Sequence, residues 1–365
     1  MQTRNIVIAA IILVIILGAS IGVWFFYYRP TTVTLVVQTQ PGWVPAIEAY
    51  IKPRMKEQYN IDLEIVEGIS QETLSKVWAS PDNPPYDVIL IDDYPFLQGK
   101  AANLWATLSE DEISYLADVP DWAKDADGKG VYTQIYTMGL GYRSDILEDQ
   151  GISAPTSWGD LWKPEFNDKA TIQSISSTWS VFFMMQIAAW ETDNPEAYRN
   201  ETEMMMGLQK IEELKDSGNI HVFHGYSSEG LALLESGEVW MEHMGGYRIL
   251  GGLQAKGFTD AKFALAENTL LGTVYMAITE GSAKKDAAYK FVDMSLSPGY
   301  QAEVFRRQYL GATNPNARAQ LNSTEKTSYD SIYANLEDKI IIPDWEYVAT
   351  HQDDWKTYWE TNIET

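Results

Sequence analysis

The chain has 365 residues, a formal charge of -24 from 51 acidic and 27 basic side chains, and no cysteine. That length predicts two domains, each large enough for its own core, and 45% hydrophobic with 12% aromatic content excludes a disordered chain. The acidic balance excludes a general nucleic-acid binder or a polybasic lipid contact. The missing cysteines exclude disulfides, thiolate metal sites and thiol catalysis, and four histidines leave little for a histidine-rich metal centre.

Residues 6–28 (IVIAAIILVIILGASIGVWFFYY) form a 23-residue run without a charge. About 20 residues cross a bilayer core, whereas a cleavable leader has a shorter apolar region and a small-residue exit. The run closes on Trp24, Phe25, Phe26, Tyr27 and Tyr28, an interfacial aromatic belt. An uncleaved single-pass anchor is expected, with residues 1–31 as anchor and tether and the rest on the extracytoplasmic side of the cell membrane. The tripeptides beginning at Asn200 and Asn322 are glycosylation sequons that suit that side.

Residues 32–38 are β-branched and apolar and predict a strand. Helical spacing of Ile47, Tyr50, Ile51 and Met55 predicts a helix over 45–59, then strands over 62–66 and 86–91. That order predicts a parallel α/β sheet. Residues 132–142 read as an extended crossing between lobes. Helices are expected over 157–161, 180–190, 195–217, 228–234 and 247–256, with a strand over 239–243. Residues 273–279 read as extended, and 286–294 and 299–307 as helical.

Three segments carry a family pattern. Gly141-Tyr142-Arg143-Ser144-Asp145 precedes Pro155-Thr156-Ser157-Trp158 and Trp162-Lys163-Pro164-Glu165; Leu234-Glu235-Ser236-Gly237-Glu238-Val239 follows; residues 283–298 (AKKDAAYKFVDMSLSP) with Asn314-Pro315-Asn316 come last. In this order, over about residues 33–345, the chain resembles the extracytoplasmic solute-binding proteins of ABC importers, of the spermidine/putrescine, iron and thiamine type. Each segment also has a structural use, as in Thr156 or Ser157 capping a helix. The resemblance implies a two-lobed periplasmic-binding-protein-like α/β fold (type II), here preceded by one transmembrane helix. Lobe 1 is then 32–138 plus 270–330, lobe 2 is 139–269, and 331–365 packs on the lobes. It further implies capture of a small-molecule ligand, delivery to an ABC permease with its ATPase subunits, and no catalysis, cofactor, metal or nucleic acid.

In that family the ligand groups lie where strands end at the cleft. Here those places hold Gln40 and Trp43, and Asp92-Asp93-Tyr94. The polyamine members carry aromatics at or near the positions matching Tyr94 and Trp43, so stacking walls and a carboxylate for an ammonium are expected. Asp92 and Asp93 also suit plain turn chemistry. The chain departs from the polyamine pattern where acids would be: Ser176 and Ser177 occupy one such region, and Val274 or Tyr275 the other. The serines open a helix whose free N–H groups suit an anion, or simply cap it. Glu242, Tyr247 and Arg248, beside Gly245-Gly246, are candidate contacts after the later strand; a Glu242–Arg248 salt bridge is the alternative. Asp92 or Asp93 with Ser177 and Arg248 would hold a zwitterion. An amine-bearing, polyamine-like solute is the expected ligand; a sugar, an oxyanion, or a hydrolase built on Asp92, Glu242 and His243 are the rivals. His221 and His224 lack a third metal ligand.

Overall fold

The computed structural model describes residues 32–334, 336 and 340–364, so the expected anchor lies outside the described residues. Among the described residues no helix is long and apolar enough to cross a membrane.

Strand β1 (Val33–Thr39) buries Leu35 and Val37. A helical run follows from Pro41–Trp43 through Val44–Ala46 and Ile47–Ile51 to α1 (Lys52–Tyr59). The expected single helix over 45–59 is therefore broken by a wide turn just ahead of Pro53, where proline supplies no helical N–H. Strand β2 (Ile61–Glu67) pairs parallel with β1, Leu35 opposite Leu63. Helix α2 (Ser70–Ala79) leads to β3 (Val88–Ile91), buried throughout and parallel to β1 on its other side. Helix α3 (Asp93–Ala101) leaves directly from the β3 end.

Strand β4 (Val131–Arg143) spans 13 residues and is shared by both halves of the sheet. Beyond it come α4 (Ser144–Asp149), β5 (Ala170–Gln173), α5 (Thr178–Thr192), α6 (Glu201–Asp216) and β6 (Ile220–His224). Helix α7 (Ser227–Ser236), β7 (Met241–Gly245) and β8 (Ala261–Ala264) complete this half. The helix expected over 195–217 starts later, because the Asn200 side chain accepts from the backbone N–H of Thr202 (3.0 Å) and Glu203 (3.3 Å) and caps α6. The strand expected over 239–243 sits two residues further on, and 247–256 winds as short, irregular turns.

The chain returns along β9 (Thr269–Ile278), buried over its length. It then forms α8 (Lys285–Leu296), α9 (Pro298–Gln308), β10 (Gly311–Ala312), α10 (Ser323–Tyr333), β11 (Ile340–Ile341) and α11 (Trp345–Asn362). The sheet runs β2-β1-β3-β9-β4-β7-β5-β6, with β10 and β8 on β4 and β11 on β9. The first part of β4 pairs antiparallel with β9, and its last part with β7 and β8. Both crossover strands thus carry chain between the halves. Gly272 is required on β9 because a Cβ there would sit 2.0 Å from the Tyr136 ring packed across it.

Two large apolar clusters flank the crossing. One gathers Leu35, Val37, Ile89, Phe96, Trp105, Phe291 and Tyr300; the other Trp158, Phe183, Met184, Leu208, Trp355 and Trp359. A smaller cluster, with Leu234, Ile249, Phe305 and Tyr333, lies between segments of both halves. Helix α11 therefore adds its apolar stripe to the second half, where Asp344 at its start pairs with Arg199 (2.9 Å).

Candidate functional site

The carboxyl ends of β1, β3, β5, β6 and β7 converge on one cavity of about 1030 Å3 between the halves. This is where open α/β sheets take ligands, and the volume is at the upper end for small-molecule sites. Gln40, Trp43, Asp92, Asp93, Tyr94, Ser177, Tyr247 and Arg248 line it. Ser176, Glu242 and Tyr275 do not.

On the first wall Asp92 is exposed. Its carboxylate accepts from Gln40 Nε2 (3.0 Å) and from the Ser70 hydroxyl (2.7 Å), which also accepts from the Asp92 N–H (3.0 Å). Asp93 is buried and faces hydroxyls: Tyr132 donates to Oδ1 at 2.5 Å, and Thr273 Oγ1 lies 3.1 Å from Oδ2. Burial pushes its carboxyl up to about 7 against the opposing pull of those hydroxyls. Tyr94 is exposed and Trp43 is buried.

On the facing wall, Tyr136, Trp179 and Tyr247 form an aromatic cluster with centroids 5.6–6.5 Å apart. The Arg248 guanidinium lies 5.0 Å from the Tyr247 ring and 6.0 Å from Trp179. Arg248 is exposed to the cavity and has no ion-pair partner among the described residues. Burial raises the Tyr247 hydroxyl, with Arg248 acting the other way. Ser177 caps α5, accepting from Trp179 N–H (3.2 Å) and donating to Gln173. No acidic residue occupies the first turn of α5, and just ahead of it the Glu364 carboxylate accepts from the Ile175 N–H (2.9 Å).

The three remaining candidates lie elsewhere. Ser176 is exposed on the loop and bonds Ser174. Tyr275 turns into the core, stacked on Phe96 (3.8 Å) and against Tyr132 (4.1 Å), while Val274 lines the cavity in its place. Glu242 is fully buried behind the cleft, 3.1 Å from His224 Nε2, and forms no bridge to Arg248. Thr171 donates to Val222 O (2.6 Å), so its oxygen accepts from His224 Nδ1 (3.0 Å). Burial pushes Glu242 up to about 7, partly offset by His224, and pushes His243 down to about 3. His243 holds Gln186 (2.9 Å) inside the second core. An Asp92–Glu242–His243 hydrolytic site therefore does not assemble.

The cavity also gathers groups the sequence reading did not single out: Gln173, Tyr226, Gln308, and Trp345 and Gln352 of α11. Trp345 Nε1 and Gln308 Oε1 are buried without a hydrogen-bond partner among the described residues. No pattern in the sequence marks α11 as a wall of this site.

Residues 49–332 match the family model described as bacterial extracellular solute-binding protein. The chain belongs to that family. Its members bind solutes rather than transform them, so the resemblance drawn from the three segments holds and an enzyme is excluded. Among curated proteins none matches. An extracellular solute-binding protein from Bordetella parapertussis is 20% identical with a TM-score of 0.77, covering 90% of this chain and 98% of its own. A structure described as a GABA receptor is 17% identical (TM-score 0.72, 90% and 96% covered). The spermidine/putrescine ABC transporter substrate-binding protein PotD from Streptococcus pneumoniae is 14% identical (TM-score 0.72, 89% and 98% covered). At these identities the likeness is one of fold: an α/β, periplasmic-binding-protein-like architecture.

Proposed function

We propose that this solute-binding protein serves an ABC importer, is tethered by residues 6–28, and captures an amine-bearing solute whose other end is anionic. The observation that carries the solute class is the opposition of charge across the cavity. Asp92, oriented by Gln40 and Ser70, stands on one wall. Arg248 and the start of α5 stand on the other, with Trp179 and Tyr247 beside Arg248 and Trp43 also lining the cavity. An ammonium meets Asp92 and an aromatic face; a carboxylate meets Arg248, whose planar fork suits it. A plain diamine uses only the first wall. Neighbours named for GABA and for spermidine/putrescine are compatible with an amine.

Capture requires the lobes, 32–138 plus 270–330 and 139–269, to close about β4 and β9, the hinge geometry of two-lobed binders. Trp43, Trp179 and Trp345 all line the cavity, so tryptophan emission reports occupancy directly. Titration with GABA should shift that emission saturably, and putrescine should do so more weakly. No response to either, with a saturable response to a neutral sugar, would replace the charged-solute reading. The tether is tested separately: the full chain should stay in the membrane fraction after carbonate extraction.

A further inference from the structure

Two adjacent acids at the end of β3 meet different surroundings, and only one of them faces outward. Asp92 is exposed and takes donors from Gln40 and Ser70. Asp93 is 6% exposed and begins α3, yet its side-chain partners come from neither α3 nor α2. Tyr132 belongs to β4 and Thr273 to β9, the two strands that cross between the halves. One carboxyl thus joins the start of a cleft-facing helix to both crossings.

We propose that Asp93 is a proton-carrying clasp, a positioning residue that fixes the start of α3 to β4 and β9 and leaves Asp92 as the acid that meets the solute. In the neutral state the hydrogen bonds balance. Tyr132 donates to Oδ1 at 2.5 Å, and the Thr273 hydroxyl, 3.1 Å from Oδ2 and a donor to the ionised carboxylate, turns to accept the acid proton. Loss of that proton leaves a charge among groups that offer no cation. On its own helix Asp92 is a second acid; β4 contributes Tyr132 and Tyr136; β9 contributes Thr273 and Tyr275. Tyr275 and Phe96, stacked on each other, are buried like Asp93 itself. Asp92 adds repulsion, since two adjacent carboxylates resist ionising together. Arg248, Lys256 and Arg307 line the same cavity, Arg307 paired with Glu303 (2.7 Å), but none of them bonds Asp93, and Arg248 acts on Tyr136 instead. Desolvation and the neighbouring acid hold the proton in place up to about pH 7.

The inference rests on the cavity being the solute site, but its test reads the ligand-free full chain and so fails independently of that reading. The infrared band of a protonated carboxyl is followed from pH 5 to 9 in wild type, D93N, D92N and E242Q. Glu242 supplies a second such band, which E242Q removes. The band remaining in E242Q should titrate near pH 7 and be absent from the D93N/E242Q double variant, with D92N moving its midpoint slightly down. Y132F removes a donor that favours the ionised form and should move the midpoint up. Near-ultraviolet circular dichroism confirms that D93N, whose amide matches the neutral acid in shape, keeps the native packing. A band indifferent to D93N, or a midpoint unmoved by Y132F, would overturn the clasp.

Discussion

Glu242→Gln should flatten the pH dependence of stability by an amount the structure sets. In the unfolded chain this carboxyl titrates at its ordinary value of 4.5, and in the fold burial holds it at about 7. The native state therefore binds the proton more tightly than the unfolded state. Its contribution is fully present below pH 4.5 and is lost as pH rises through about 7. Holding the carboxyl at about 7 rather than 4.5 is worth about 3 kcal/mol at most, since a tenfold change in proton affinity is 1.36 kcal/mol. Asp93 works in the same direction from 3.8 to about 7. His243, held near 3, works oppositely, withdrawing stability as pH falls below about 6.5. Glutamine retains the size of Glu242 and can donate to His224 Nε2, so the pair stays satisfied without titrating. Urea unfolding at pH 5, 6, 7 and 8 reads the effect. Wild type should lose about 3 kcal/mol across the series once His243 is set against the two acids, and Glu242→Gln should recover about 2.5 kcal/mol of that loss. Equal slopes for the two proteins would show that Glu242 is ionised or hydrated in the fold.

Gly230→Ala should destabilise by about 1–3 kcal/mol or more, because its Cβ would sit 1.8 Å from Glu242 Oε1; the same urea series measures it. Trp359→Ala, at a fully buried position of α11, should cost about 3–5 kcal/mol, read as a fall in melting temperature, and should leave the Glu364 carboxylate, which it now donates to (3.0 Å), held among the described residues by the Ile175 N–H alone (2.9 Å). Asp344→Ala removes both the cap of α11 and the Arg199 pair, and should cost about 1 kcal/mol. A loss of Trp345 emission change on solute addition in that variant would show that the start of α11 had moved.

Much of the fold is written in apolar spacing. The runs that became β1, β3, β4 and β9 are rich in apolar residues and mostly buried, and the ends of β1 and β3 led to Gln40, Trp43 and Asp92–Tyr94. Less of the site was legible. On β9 a one-residue choice decides which side chain reaches the cavity, since strands alternate faces: Val274 lines it and Tyr275 stacks inside. Glu242 lies in a strand whose facing partner is Gly230, more than ten residues earlier, and nothing local says that this glycine makes room for a buried carboxyl. Helix α11 hides its inward residues Val348, Trp355 and Trp359 among acids and threonines, so neither the helix nor its cavity-facing Trp345 and Gln352 stood out. The break before α6 comes from an Asn200 side-chain cap, a local contest that periodicity does not register.

The most direct measurement is a thermal-shift comparison of wild type, Arg248→Gln and Asp92→Asn with GABA, putrescine and glucose. A solute at a hundredfold excess over its dissociation constant stabilises the native state by about 2.7 kcal/mol. GABA should raise the wild-type melting temperature, and either substitution should abolish most of that rise; putrescine should respond to Asp92→Asn alone. Stabilisation by glucose only, unchanged in both variants, would contradict a cleft built from opposed charges.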